Sequence, residues 1–295
     1  MQFNNLKLKN GITNFTLISP WILTFVVFWL YPLLYSLYLS FTEYNTLNRE
    51  LTFIGLENYR RLFEDEVFGL ALKNTLIFSI GTVPFITIFS ILLAILVNSK
   101  LTRFKEFFRA SFFLPSVTSL VVLSLIFSNL YTQNGYISYL LNLVGVPTPQ
   151  NGFLLEPGSA LFSIMAMDIW ISIGYYMVIF LAGLQTINNE YYEYAEIMGV
   201  NKFQQFFRIT LPLLKSTIAF VVIINTIKSF QIFIEIYIMT KGGPLNSTTT
   251  LVFMIFNNAF DRVNTMGYAS ALAYSLFVII IFISIIQHFL LKEKK

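Results

Sequence analysis

Apolar residues along this chain fall into six long blocks, separated by stretches in which charge returns. The blocks are Leu17–Phe41, Ala71–Val97, Ser111–Tyr131, Ala160–Leu184, Leu213–Met239 and Gly267–Leu291. Each reaches roughly the 20 residues that cross about 30 Å of hydrocarbon at a rise of about 1.5 Å per residue. The pattern predicts an all-α polytopic membrane protein with six transmembrane helices, forming one transmembrane domain over residues 1–295. The first block is too long for the core of a signal peptide and no small-residue cleavage site follows it, so it reads as a retained helix. Pro20, Pro32, Pro84 and Pro115 lie in or at the ends of blocks, where neighbouring helices can satisfy the freed backbone groups.

Charge supports this reading. Only 12% of residues are Asp, Glu, Lys or Arg, against about 25% in soluble domains, and mean hydropathy is +0.69. The cations also orient the spans. Lys7, Lys9, Lys100, Arg103, Lys105, Arg109, Lys202, Arg208, Lys215, Lys292, Lys294 and Lys295 fall on one side, twelve in all. Arg49, Arg60, Arg61, Lys73, Lys241 and Arg262, six in all, fall on the other, with Lys228 inside the fifth block. Both termini are therefore expected in the cytoplasm of a multi-pass cell-membrane protein. The net charge of +4 is no nucleic-acid signature, because the basic residues flank apolar spans.

Catalytic material is scarce. The chain has no cysteine and one histidine, His288 at the end of the last block, which excludes a disulfide framework, a thiolate metal site and a Cys nucleophile. No G-x4-G-K-[ST] pattern exists to cradle nucleotide phosphates. No catalytic residue, metal site or cofactor is expected in this chain. Gly242-Gly243-Pro244 reads as an outer turn, and Glu64-Asp65-Glu66 as a solvated cap.

One polar insert interrupts the pattern. Residues 188–212 carry Glu190, Glu193 and Glu196, then Gly199, then Leu211-Pro212 leading into the fifth span. Asn188 or Asn189 can cap a helix whose first turns hold Glu190 and Glu193. Gly199 can take the left-handed conformation that ends it. Asn201 can start a second short helix, Lys202–Ile209, and Pro212 suits the opening of span five. Ala195 and Gly199, four apart, would leave a shallow gap beside Glu193, flanked by tyrosines. An interfacial anchor is the plain alternative, but such anchors are rich in Lys and Arg, and the first helix is acidic.

Here the sequence resembles a family. Glu193, Ala195, Gly199, Ile209, Leu211 and Pro212 match the pattern E-x-A-x3-G-x9-I-x-L-P, the cytoplasmic EAA loop of membrane subunits in binding-protein-dependent ABC importers. Tyr194 and Met198 depart from its usual alanine and aspartate. "FIGLENYRRLF" (Phe53 to Phe63), "TKGGPLNSTTTLVFMIFNNAF" (Thr240 to Phe260) and "GYASALA" (Gly267 to Ala273) look like sugar permeases of the maltose-transporter class, on the MalF-like side of a permease pair. The resemblance implies a six-span ABC type I importer (MetI-like) core and a loop that couples to an ATPase. It further implies a second, MalG-like permease, two ABC ATPase subunits holding ATP and Mg, an extracellular solute-binding protein and a carbohydrate substrate. Lipid would surround the spans, and no nucleic acid is involved.

Laid onto the maltose-type pocket by Trp170 and the EAA loop, the substrate path falls on Ile171, Ser172 and Tyr175 of span four. In span five it falls on Asn225, Lys228, Ser229 and Ile232. Charge within these spans has independent meaning, since ionisable groups in a membrane face a cavity or a partner. Asp168 and Glu235 are the candidate partners of Lys228. On a continuous helix Asn225, Lys228 and Ile232 share a face, with Glu235 two turns beyond Lys228 on the same side. Lys228 either pairs with a carboxylate or meets an anionic substrate. An ion-coupled secondary transporter using Asp168, Lys228 and Glu235 is the competing function, although that class often shows inverted repeats and none is evident here.

Overall fold

The computed structural model describes residues 16–44, 50–99, 104–262 and 265–292. Lys7, Lys9, Arg49, Lys100, Arg103, Lys294 and Lys295, used above for orientation, lie outside the described residues. In chain order the elements begin with α1 (Thr16–Ser40), a hairpin of β1 (Thr42–Tyr44) and β2 (Leu51–Phe53), and α2 (Glu57–Glu64). Next come α3 (Glu66–Asn98), α4 (Lys105–Val117), α5 (Leu120–Leu130), α6 (Tyr136–Leu143) and α7 (Ala160–Gln185). After α8 (Glu190–Ile197) and α9 (202–213) follow α10 (Lys215–Phe230), α11 (Ile234–Met239), α12 (Leu251–Asp261) and α13 (Met266–Leu291). Helix dominates as expected, and the small antiparallel hairpin, Thr42 opposite Phe53, is an addition.

Among the described residues, five helices are long and apolar enough to cross a membrane, and the bent pair α4–α5 supplies a sixth. The first, second, fourth and sixth spans fall where the blocks put them. Span two begins earlier than Ala71, at Glu66, because Asp65 caps it by accepting from the Val67 amide at 2.9 Å. The third span departs from expectation. Its two helices meet at 92° across Thr118 and Ser119, where the backbone leaves the helical region at both residues and Thr118 N donates to the Pro115 carbonyl as α4 ends. The fifth span also departs: the helix unwinds at Gln231–Phe233 and resumes as α11. That break removes the continuous face expected for Lys228, Ile232 and Glu235.

Two compact units divide the chain. The first comprises residues up to Glu64 together with Ile255–Ser275. In it Asn58 donates to the Ser40 and Thr42 carbonyls at 3.0 and 2.9 Å, which ties α2 to the end of α1. The Arg61 guanidinium lies 4.7 Å over the Tyr268 ring, a cation–π contact to the start of α13. Gly267 lets that start approach the Thr42 carbonyl, where a Cβ would collide.

The second unit, Asp65–Met254 with Leu276–Lys295, holds the candidate site. Its core packs α3 on α7: Ile86, Ile91 and Ala94 meet Tyr176, Met177 and Phe180, joined by Leu214 and Val221. Hydroxyls inside α3 bond back to their own helix, as Thr75, Thr82 and Thr87 do to the carbonyls four residues earlier. Two others bridge helices. Ser90 donates to the Ile173 carbonyl at 2.9 Å and Ser229 to Ser79 at 2.8 Å.

The loop after α11 is held from α3. It contains non-glycine residues at positive φ, namely Lys241, Leu245 and Asn246 at 50°, 52° and 60°. Asn74 donates to the Asn246 and Thr249 carbonyls at 2.9 and 3.0 Å, and Thr75 accepts from the Leu251 amide at 3.1 Å. Asn74→Ala removes both side-chain donors and strands two acceptors, at about 1–3 kcal/mol for each that stays buried. It is expected to lower the thermal midpoint of the purified protein, read by tryptophan fluorescence. An unchanged midpoint would mean the loop is held by other contacts.

Candidate functional site

The polar centre of the second unit forms where α7 and α10 cross. Asp168 lies one turn before Ser172 on α7, so the Ser172 hydroxyl donates to Asp168 Oδ1 at 3.1 Å. Lys228, in the last turn of α10, donates to the Ser172 hydroxyl at 2.7 Å and lies 3.4 Å from Asp168 Oδ1. The carboxylate is sealed while the amine is not: their side chains are 6% and 49% exposed. Burial makes a charge depend on its partners, so the pair and the hydroxyl form one unit.

Lys228 borders two cavities. One, of about 250 Å³, is lined by Asp168, Lys228, Ser229, Gln231, Ile232 and Glu235, with Phe78, Leu120, Phe233 and Ile234. The other, of about 330 Å³, is lined by Ile171, Ser172, Tyr175, Tyr176, Ile224, Ser116 and Lys228. Unwinding at Gln231–Phe233 is what turns Gln231, Ile232 and Glu235 onto the first cavity. The Thr250 hydroxyl donates to the Ile232 carbonyl freed there, at 3.3 Å.

Six of the seven expected pathway residues therefore lie on a cavity wall: Ile171, Ser172 and Tyr175 from span four, and Lys228, Ser229 and Ile232 from span five. Asn225 lies elsewhere. It is 1% exposed and lines neither cavity, because one turn before Lys228 the helix is packed into the bundle beside Thr226, which accepts from Gln287 of α13. Asp168 and Glu235 both reach the first cavity, but only Asp168 makes an ion pair with Lys228. Trp170 packs away from the site, its ring 5.4 Å from that of Phe127. Gln231, polar in an apolar span, and the aromatic Tyr176 and Phe233 were readable in the sequence as candidates beside a glycan, whereas Ser116, Ile224 and Phe78 were not anticipated.

At the insert, the Asn188 side chain accepts from the Glu190 amide at 3.1 Å and starts α8. Gly199 ends it at φ 74°, with Val200 N donating to the Ala195 carbonyl at 2.9 Å. Asn201 caps the next helix in a reciprocal box with Gln204. That second helix does not stop at Ile209. A π-turn over Phe206–Thr210 widens the helix ahead of Pro212, which cannot donate, and α9 continues to a single turn at Leu214 before α10. Only the turn at Leu214 therefore separates the loop's second helix from span five. The Tyr192 hydroxyl and that of Thr210, 2.9 Å apart, tie α8 to α9, as does the Lys202–Glu196 ion pair.

The shallow gap expected between Ala195 and Gly199 is absent. Ala195 is buried and Gly199 exposed, because the left-handed turn takes Gly199 off the helix and its four-residue spacing no longer selects a face. The outward surface is instead formed by Tyr191, Tyr194, Ile197 and Met198, with Glu193 also exposed. Ile209 and Leu211 are half-buried, and Pro212 is exposed.

Residues 74–294 match the family described as binding-protein-dependent transport system inner membrane component. The lactose transport system permease protein LacF of Rhizobium radiobacter is 35% identical, over 99% of this chain and 98% of its own length. The arabinooligosaccharides transport system permease protein AraP of Halalkalibacterium halodurans is 34% identical, over 98% of this chain and 89% of its own. In fold, the chain is similar to one in the crystal structure of a bacterial ABC transporter involved in import of the acidic polysaccharide alginate. That match has a TM-score of 0.82 at 23% identity, over 97% of this chain and 96% of the other. These likenesses run nearly end to end and displace an ion-coupled carrier as the reading of Asp168, Lys228 and Glu235. By its family match and its relatives, the chain belongs to the binding-protein-dependent inner-membrane permease components of ABC transport systems.

Proposed function

We propose that this chain is one of two permease subunits of an ATP-driven importer of carbohydrates in a bacterial cell membrane. The relatives' named cargoes, lactose and arabinooligosaccharides, support the substrate class. The observation that carries the reading is the hydrogen-bonded centre Asp168–Ser172–Lys228, open to cavities on the two spans that flank the 188–212 loop. Sugar passes along this centre, polar groups meeting hydroxyls and Tyr175, Tyr176 and Phe233 offering ring faces.

Energy comes from outside the chain. Two ABC ATPase subunits bind ATP and Mg, a MalG-like permease supplies the other half of the path, and a solute-binding protein delivers the sugar. Both termini and α8 face the cytoplasm, in keeping with the distribution of Lys and Arg. The exposed crest of Tyr191, Tyr194, Ile197 and Met198 seats on an ATPase. Because only Leu214 separates α9 from α10, displacement of α8 reaches Lys228 through consecutive helices. Such coupling requires that the docked face distinguish two global states.

Co-purification of the chain with an ATPase, and uptake blocked by vanadate but not by an uncoupler, tests the assignment. Uncoupler-sensitive uptake with no ATPase bound would reject it. Gly199→Asp tests the coupling. Beyond its chain neighbours, no atom of the described residues lies within 4 Å of an added Cβ, so the fold tolerates the volume, and the left-handed backbone costs about 1–2 kcal/mol. Uptake is expected to fall about tenfold or more, the scale of a coupling free energy of about 1–3 kcal/mol, while ATP hydrolysis persists. Gly199→Asn, which tolerates the same backbone without charge, separates strain from lost docking. Wild-type uptake in Gly199→Asp would count against α8 as the transmitting element.

A further inference from the structure

Three ionisable side chains face the smaller cavity: Asp168, Lys228 and Glu235. Two carboxylates against one ammonium leave one formal negative charge on its wall. Among the described residues Lys228 is the only Lys or Arg on either cavity, and it donates to Ser172 at 2.7 Å and is paired with Asp168 at 3.4 Å. Glu235 is 4% exposed and makes no ion pair among the described residues. Its backbone is fixed by α11, where the neighbouring Ile236 is fully buried against Phe78 and Phe253. The acidic wall is therefore held in place by packing.

We infer that this passage rejects anionic glycans and carries uncharged ones, with Glu235 as a specificity-determining residue. The inference rests on spans four and five forming the sugar path. Within this chain, an incoming uronate or sugar phosphate meets a cation only at Lys228, whose ammonium already serves Ser172 and Asp168. Sharing that cation with a second anion weakens its hold on the sealed Asp168 carboxylate, which is unfavourable. An uncharged glycan meets the opposite situation. Its hydroxyls donate to the oxygens of Asp168 and Glu235, as charge-assisted bonds that need no rearrangement of the ion pair. Phe78 and Phe233 line the same cavity and can cover its ring faces. Discrimination here comes from the repulsive element as much as from the attractive one.

The test uses the complete transporter in lipid nanodiscs without its solute-binding protein, so that the receptor's own preference does not enter. Binding of maltotriose, xylotriose, galactotriose and trigalacturonate is measured by saturation-transfer NMR and competition. The wild type is expected to bind at least one neutral trisaccharide about tenfold or more tightly than trigalacturonate, a tenfold ratio being about 1.4 kcal/mol. Glu235→Gln should narrow that ratio. Asp168→Asn combined with Glu235→Gln, which releases the ammonium, should bring trigalacturonate level with or ahead of the neutral sugars. Tryptophan-fluorescence melting confirms that each variant is folded. Equal binding of trigalacturonate and neutral sugars by the wild type would overturn the inference and leave the sugar path standing. An unchanged ratio in Glu235→Gln would overturn the role of Glu235. Binding of none of the four probes would remove the path itself, and the inference with it.

Discussion

Gly174→Ala is expected to destabilise the spanning bundle by about 3 kcal/mol, the upper end of what one inserted methyl group costs in a packed core. The cause is backbone, not side chain. Gly174 lies at the centre of α7, and a Cβ built there would fall onto the Phe112 carbonyl of α4, with the Phe113 Cα at 3.1 Å. A main-chain carbonyl cannot rotate away, so α4 or α7 must shift as a rod. Helices in membranes gain their association from such close approach at small residues, and the shift forfeits it. The thermal midpoint of the purified protein is expected to fall by roughly 5–10 °C, scaling from about 2–4 °C per kcal/mol for domains of 150–250 residues. Trp21, Trp29 and Trp170 provide the signal. Gly81→Ala is the matched control. Its Cβ also meets an atom too closely, but that atom is the Met165 Cε, the far end of a flexible thioether. That variant is expected to stay close to wild type, and comparable losses in the two would refute the argument from backbone contact.

The contrast between these glycines also marks where the sequence is readable. Both sit in apolar runs, Gly81 between Ile80 and Thr82 and Gly174 between Ile173 and Tyr175, and nothing local separates them. Span existence was legible because crossing a bilayer demands about 20 apolar residues whatever their order. Thus α1, α7 and α13 end within a residue or two of the blocks that predicted them. The break in span three was not legible from proline, since Pro115 in α4 and Pro84 in α3 both leave their helix continuous and the bend falls beyond Pro115, at Thr118 and Ser119. The unwinding at Gln231–Phe233 had neither Gly nor Pro to announce it. The Ile232 carbonyl at the break accepts from Thr250, a donor distant in sequence. Asn225 misled for a related reason. Polarity in a span marks either a path or an interhelical contact, and only packing tells which. The EAA spacing was legible as a pattern of residues, while the face it presents was not, because Gly199 turns the chain off the helix that the spacing assumed.

Lys228→Met is expected to be costlier than Asp168→Asn, although each breaks the same ion pair. Losing one partner of a buried pair costs about 3–5 kcal/mol when the survivor is stranded, so the outcome depends on which group remains and where. Without Lys228, the sealed Asp168 carboxylate keeps only the Ser172 hydroxyl at 3.1 Å, and Glu235 shares the cavity with no cation left on its wall. Without Asp168, the half-exposed ammonium keeps Ser172 at 2.7 Å and can turn into either cavity, where water satisfies it. Screening at the exposed end weakens the pair, which places Lys228→Met near about 2–3 kcal/mol and Asp168→Asn near about 1 kcal/mol. The double variant should recover much of the loss, because it removes the stranded charge that makes Lys228→Met expensive. Midpoints of the four proteins, read by tryptophan fluorescence under one set of conditions, give both the order and the coupling. If Asp168→Asn proves the worse of the two, the carboxylate is better hydrated than its 6% exposure implies, and the ammonium is then the group that relies on the pair.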